Sequence, residues 1–302
     1  MASGIATFSQ ELAAIAEKVG TSVVGVSAGQ RIPSSGIHWR KGVVVTAHHA
    51  LRREEEISIL GHGGKEISAT LAGRDAGTDI AVLRLEDNKT PIPEFGNSSE
   101  LKLANFVLAL GRSRFGDVVA SAGIVGGLRG EWRSWRRSRI EQSIRLDLEL
   151  YPGFSGGPLV SVEGKVLGMN TSGLGRGRPV TVPVSTVNRI VDELLEKGHI
   201  ARPYLGLAMQ PVGVPEKLRG RFKSAPAGGL MVLHVENGGP ADQAGIVLGD
   251  VIVELQGKPA LDMERLQELL ASSRVNDKIE LTVMRGGAAV GLAISVGERP
   301  AR

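Results

Sequence analysis

The sequence predicts a mainly β protein: an all-β barrel or sandwich over about residues 20–183, then a smaller module that mixes strands with a helix. Three observations carry this prediction. Short apolar runs recur at close intervals between Val23 and Met169, broken by Gly, Pro or charged turns, which is the spacing of barrels and sandwiches. Glycine is abundant, at 41 of 302 residues, and aromatic residues make up only 4%, which suits short strands joined by tight turns. Beyond residue 203 the strand pattern is interrupted by one helical run at 262–272.

The elements follow in order. Phe8, Leu12, Ile15, Ala16 and Val19 recur at helical spacing, which predicts an amphipathic helix over 7–19 with Thr7 and Gln10 as a capping box. The clearest strands are Val23 to Val26, Val43 to Val45, Ile57 to Leu60, Ile80 to Leu85, Phe106 to Leu110, Val118 to Ile124, Ile144 to Leu150 and Val166 to Met169. In the seventh of these, Arg145, Asp147 and Glu149 alternate outward. Leu159 to Gly168 reads as strand, tight turn at Glu163-Gly164, strand. Ser185 is placed to cap a helix carrying Val187, Ile190, Val191, Leu194 and Leu195, with Gly198 as its stop. The expected organisation is a first domain over 1–198, a linker over 199–203 and a second domain over 204–299.

Composition bounds the function. With 302 residues, 42% of them hydrophobic, the chain can bury a real core and has the length of two domains or one large one. The absence of cysteine excludes disulfides and thiolate chemistry, and no metal or cofactor is expected. Glu11, Glu17 and Lys18 interrupt the N-terminal apolar positions, so no export signal is read there, and no stretch is long and apolar enough to span a bilayer. The compartment stays open. A net charge of +4 is too modest to imply nucleic acid. One stretch concentrates charge: Arg129, Arg133, Arg136, Arg137 and Arg139 interleave with Trp132 and Trp135. Such a pattern can stack bases, but a solvated loop is the expectation. His38, His62, His199 and His234 have no motif around them and read as surface or loop residues.

Chemistry concentrates in Gly153-Phe154-Ser155-Gly156-Gly157-Pro158. A serine hydroxyl needs a positioned base, and the oxyanion it creates needs preorganised donors; backbone amides between glycines can supply them. Upstream, the apolar run Val43 to Ala47 ends in His48-His49, and Asp79 opens the run Ile80 to Leu83. The order His, Asp, Ser is that of chymotrypsin-like proteases. The same hexapeptide fits the G-x-S-x-G elbow of α/β-hydrolases, but that elbow needs a helix directly after the serine, and here a strand follows.

Thr46-Ala47-His48-His49-Ala50, Thr78-Asp79-Ile80-Ala81-Val82-Leu83 and Gly153 to Val160 together resemble the three catalytic blocks of HtrA/Deg serine proteases. The resemblance implies a chymotrypsin-like double β-barrel with the site between the barrels. It makes His49 the general base, with His48 a minor alternative, Asp79 the orienting carboxylate and Ser155 the nucleophile. The amides of Gly153 and Ser155 would form the oxyanion hole. Pro203 to Leu207, Gly239 to Ile252 and the helical run at 262–272 resemble a PDZ domain of the HtrA type. There Tyr204, Leu205, Gly206 and Leu207 would receive a peptide C-terminus, with Leu266, Leu269 and Leu270 on the opposite wall.

The family further implies unfolded or misfolded proteins as substrates, small aliphatic side chains at the cleaved position, a homotrimer, and a regulatory loop that here corresponds to the Arg129 to Arg139 stretch. Two departures stand out. Phe154 and Tyr151 replace frequent asparagines. Phe154 also cannot make the ion pair through which trypsin zymogens are activated, so control by loop order is expected. Glu149 occupies the place of a specificity residue, although its strand pattern reads as an outward polar position. The rival reading is a non-proteolytic peptide-binding or chaperone scaffold on the same fold.

Overall fold

The computed structural model describes residues 4–61, 64, 66–86, 90–136, 138–175, 178–201, 203–222, 224 and 226–299. The chain divides into two compact units between Ile200 and Ala201.

The first unit opens with helix α1 (Gly4–Gly20) and a closed six-stranded barrel of β1 (Val23–Ser27), β2 (Ser34–Arg40), β3 (Val43–Ala47), β4 (Ile57–Leu60), β5 (Glu66–Asp75) and β6 (Ile80–Arg84), in the order β1-β2-β3-β6-β5-β4. A second closed barrel follows. It begins with β7 (Phe106–Arg112) and β8 (Val118–Arg129), and a small hairpin of β9 (Trp132–Arg133) and β10 (Arg139–Ile140) interrupts it. It is completed by β11 (Ser143–Asp147), β12 (Pro158–Ser161), β13 (Val166–Thr171) and β14 (Val180–Pro183), in the order β11-β14-β13-β12-β7-β8. Helix α2 (Val184–Lys197) ends the unit. The predicted mainly β class is therefore observed, as the double barrel.

Each barrel fills its interior with its own apolar residues: Val24, Val26, Val44, Ile57, Ile59 and Leu83 in the first, Val107, Val125, Ile144, Leu146 and Leu159 in the second. A third cluster joins Ile37, Trp39, Val45 and Val82 of one barrel to Leu110, Val160, Met169 and Val182 of the other. Val187, Ile190, Val191 and Leu194, spaced along one face of α2, close that cluster. Burying each such side chain contributes about 1.5–3 kcal/mol. Gly198 stops α2 with φ +78° and donates its N–H to Leu194 O.

Several local expectations need correction. Helix α1 begins three residues before Thr7, so Thr7 is a helical residue and caps nothing; Leu12, Ile15, Ala16 and Val19 do pack on the core. The N-cap of α2 is Pro183, with no side-chain cap, and Ser185 lies inside the first turn. Strand β11 stops at Asp147, leaving Glu149 exposed beyond its end. Strands over 34–40, 66–75, 180–183 and 288–295 add to those expected from the sequence. Strand β2 is the clearest case, because it is buried on both faces: Trp39 packs in the inter-barrel cluster and donates to Asn188 Oδ1 at 2.8 Å.

His38 is not a surface residue. It lies in β2, buried, with Nδ1 3.2 Å from Pro91 O. His199 and His234 are exposed as expected, and His62 lies outside the described residues. The Arg/Trp stretch is an anchored hairpin rather than a free loop. Ile140 and Ser134 are buried and Trp132 packs on the core, while Trp135 is exposed with the Arg136 guanidinium 4.4 Å over its ring. Arg137 lies outside the described residues.

The second unit holds a short pair, β15 (Pro203–Tyr204) with β22 (Gly297–Glu298), and a larger sheet. That sheet contains β16 (Leu207–Gly213), β17 (Gly228–Val235), β18 (Val251–Leu255), β20 (Lys278–Arg285) and β21 (Ala288–Ser295) in the order β16-β17-β18-β20-β21, with β19 (Lys258–Pro259) paired to β18. Helices α3 (Glu216–Arg219), α4 (Pro240–Gln243) and α5 (Met263–Ser272) complete it. Asp262 caps α5 by accepting from Arg265 N at 2.9 Å. Leu266 of α5 is buried with Leu230, Val232, Ile252, Ile279 and Ile294. No helix among the described residues is long and apolar enough to cross a membrane.

Candidate active site

The first barrel brings His49 and Asp79 together. Strand β3 ends at Ala47, and His48 to Ala50 forms a single 3₁₀ turn. The two histidines therefore lie on this turn, just past the strand end. His49 Nδ1 lies 2.7 Å from Asp79 Oδ2, and the His49 amide donates to Asp79 Oδ1 at 2.9 Å. Asp79 itself has φ +58°, a left-handed conformation that Asp and Asn tolerate better than most residues. Asp75 shapes the turn before it by accepting from the amides of Gly77 and Thr78 and from Thr78 Oγ1.

The second barrel supplies Ser155 at the mouth of β12, and from the end of β13 it supplies Thr171, Ser172 and Gly173. Thr171 Oγ1 donates to Asp79 Oδ2, the same oxygen that faces His49 Nδ1. Ser155 Oγ accepts from Ser172 N at 3.3 Å and shares a hydrogen bond with Ser172 Oγ at 3.3 Å. Gly173 is a glycine for a steric reason: a Cβ there would fall 2.6 Å from Asp79 Oδ2 and 2.8 Å from His49 Nδ1.

Protonation follows from these contacts. The Asp79 hydrogen bond raises the pKa of His49 above 6.5, although partial burial works against it. For His48, burial and then the Arg74 charge lower the pKa, so that ring stays neutral beside Asp79. Its Nδ1 is buried without a hydrogen bond among the described residues.

The turn carrying Ser155 presents two free amides. Gly153 N and Ser155 N have no acceptor among the described residues, whereas Phe154 N donates to Tyr151 O, Gly156 N to Asn170 O and Gly157 N to Phe154 O. Gly153 has φ +97°, and Gly156, at φ +91°, passes so close to Ser35 O that a Cβ would stand 2.0 Å from it. Phe154 is buried with its ring edge-on to Tyr151, 5.6 Å between centroids. The two departures from asparagine thus pack against each other. The sequence reading missed Thr171, Ser172, Gly173, Ser34 and Ser35 in this neighbourhood, since nothing in their spacing links them to Ser155.

In the second unit, Tyr204 to Leu207 runs from β15 into β16, which among the described residues has a strand partner only in β17. Gly206 turns the chain with φ +77°, and its carbonyl accepts from Glu236 N at 2.9 Å. Leu205 is buried in the core and its carbonyl accepts from Ala241 N at 3.0 Å, and α5 packs beside β15 and β16. Leu269 and Leu270 are partly buried on the same core.

Double barrel, His/Asp/Ser cluster and C-terminal sheet together define a trypsin-like peptidase domain followed by a PDZ domain, and the matching family models are a trypsin-like peptidase domain over residues 34–169 and a PDZ domain over residues 203–296. The serine protease Do-like HtrA of Lactobacillus helveticus is 34% identical over 272 residues, covering 85% of this chain and 65% of its own. A probable periplasmic serine endoprotease DegP-like of Pseudomonas fulva is 33% identical over 278 residues, covering 90% of this chain and 57% of its own. A solved variant of the HtrA-type protease AlgW with a decapeptide superposes with a TM-score of 0.73 at 25% identity, over 95% of this chain and 97% of that one. The chain belongs to the HtrA/DegP family of serine proteases. It spans between half and two thirds of the length of those two curated relatives.

Proposed function

We propose that this chain is a serine endopeptidase that cleaves unfolded or misfolded proteins, with Ser155 as nucleophile, His49 as general base and Asp79 as the group that orients the base and stabilises the imidazolium formed when it takes the proton. The observation that carries the reading is the double hold of Asp79 on His49, at 2.7 and 2.9 Å. With its proton on Nδ1 facing Asp79, His49 has Nε2 free to take the Ser155 proton as Oγ attacks the scissile carbonyl carbon. The carbonyl π pair moves onto oxygen, where the Gly153 and Ser155 amides receive it. Collapse of this intermediate breaks the C–N bond, and His49 returns the proton to the departing amine. Water, deprotonated by the same base, then releases the acyl group from Ser155.

The PDZ unit is proposed to bind peptide C-termini along β16, with the Gly206 turn near the carboxylate; the bound decapeptide of the AlgW structure and the unpaired edge of β16 support this. For control, the Arg/Trp hairpin is the proposed regulatory element. Ser138 Oγ reaches Asp75 Oδ2 at 3.4 Å, and Asp75 holds the turn that presents Asp79, so docking of the hairpin bears on the triad. A homotrimer is proposed from the family, supported by Ile5, 81% exposed on α1; sedimentation at three times 31.8 kDa is its test. For the reaction itself, digestion of unfolded casein that a serine-directed fluorophosphonate abolishes would support the proposal, and casein left intact by the purified protein would refute it.

A further inference from the structure

Two amides form the candidate oxyanion hole, and the turn that carries them lies against β2 of the other barrel. Ser35 Oγ donates to Gly153 O at 2.7 Å, Ser34 Oγ donates to Ser155 O at 2.5 Å, and Ser35 N donates to the same Ser155 oxygen at 3.1 Å. We infer that Ser34 and Ser35 are positioning residues for the oxyanion hole, fixing from the first barrel the peptide planes on either side of the Ser155 amide. This rests on the proposed catalytic reading of Ser155.

A trans peptide is rigid and planar, with C=O and N–H pointing oppositely, so holding both groups fixes the plane. The Gly153-Phe154 plane is held by Ser35 at its carbonyl and by Tyr151 O at its N–H. The Ser155-Gly156 plane is held by Ser34 and Ser35 at its carbonyl and by Asn170 O at its N–H. Between them the Phe154-Ser155 plane is tied only at Phe154 O, by Gly157 N, which leaves the Ser155 N–H aimed outward. Ser35 Oγ has one proton to give, and it accepts the Arg112 amide at 2.9 Å, so its donation to Gly153 is directed.

Both serines are buried, where a lost partner is not replaced by bulk water. Without the Ser35 hydroxyl, the Gly153 carbonyl seeks another donor. Gly153, lacking a Cβ and already at φ +97°, offers little resistance to a turn that takes its N–H out of the hole.

The test compares parent protein, Ser35→Ala, Ser34→Ala and Ser155→Ala. It measures the second-order rate of fluorophosphonate labelling and, separately, kcat and KM on unfolded casein, with folding followed by thermal melting. Labelling needs the nucleophile and the oxyanion donors but no peptide recognition. Ser35→Ala should label about 10- to 100-fold more slowly, the loss expected when catalytic groups are misplaced by about 1 Å. Its kcat should fall in parallel while KM stays within about twofold. Ser34→Ala should show a smaller fall in the same sense, because Ser155 O keeps the Ser35 amide.

A folded Ser35→Ala that labels at the parent rate overturns the inference. So does a rise in KM that accounts for the whole loss, which would indicate general loosening. If Ser35→Ala does not fold, Ser34→Ala decides on the same two readouts. A parent protein that is not labelled at Ser155 fails the proposed function itself, and this inference falls with it; labelling of the parent with unchanged serine variants fails this inference alone.

Discussion

Asp79 grips His49 at two points: Oδ2 faces the ring nitrogen Nδ1 at 2.7 Å, and Oδ1 accepts the residue's own backbone amide at 2.9 Å. The carboxylate thus fixes the backbone of the histidine as well as its ring. Asp79→Asn should cut kcat on unfolded casein by about four orders of magnitude, because an amide placed there favours the wrong imidazole tautomer. The melting temperature should stay near that of the parent, since Asn accepts φ +58° as Asp does. Steady-state kinetics and a thermal melt on the same preparation check both halves.

The pH profile follows from the same pair. His49 must be neutral to act as base, and the Asp79 hydrogen bond raises its pKa. Activity is therefore lost as pH falls through a midpoint above the ordinary histidine value of 6.5, and is fully present above it. His48, lowered by burial and Arg74, is already neutral across this window and adds no second inflection. In the residual activity of Asp79→Asn the acid limb should move to lower pH. A parent midpoint below 6.5 would contradict the assignment.

Gly173→Ala tests the packing around the pair. Its methyl would need the space now taken by Asp79 Oδ2 and His49 Nδ1, so the pair must open. A fall in kcat of about 100-fold is expected, with the fold retained; an unchanged rate would mean that the pair tolerates displacement.

How much of this was legible in the sequence depended on the range of the interaction. The three catalytic blocks are local motifs, and the apolar run Val43 to Ala47 and the glycine turn at 153–157 already indicated where His49 and Ser155 would sit. Ser34, Ser35 and Thr171 act through hydrogen bonds between strands far apart in the chain, which no spacing encodes. His38 was misread because β2 is buried on both faces, so its polar residues carry no outward signature. Thr7 and Ser185 looked like caps, but one helix starts at Gly4, ahead of Thr7, and the other takes Pro183 as its N-cap, ahead of Ser185.

For the PDZ unit, the edge of β16 and the Gly206 turn predict recognition of a free C-terminus. An apolar-ended peptide should bind at least tenfold more tightly than its amidated twin, a difference of about 1.4 kcal/mol. Isothermal titration of the two peptides checks this, and equal affinities would remove the carboxylate from the account.

The central claim is that Ser155 is the nucleophile of a peptidase, and one comparison tests it most directly. Parent protein and Ser155→Ala, matched in concentration and melting temperature, are incubated with unfolded casein and the fragments are followed by mass spectrometry. The account predicts steady cleavage by the parent and none by the variant, which lacks only one oxygen atom. Cleavage by Ser155→Ala at the parent rate would contradict it.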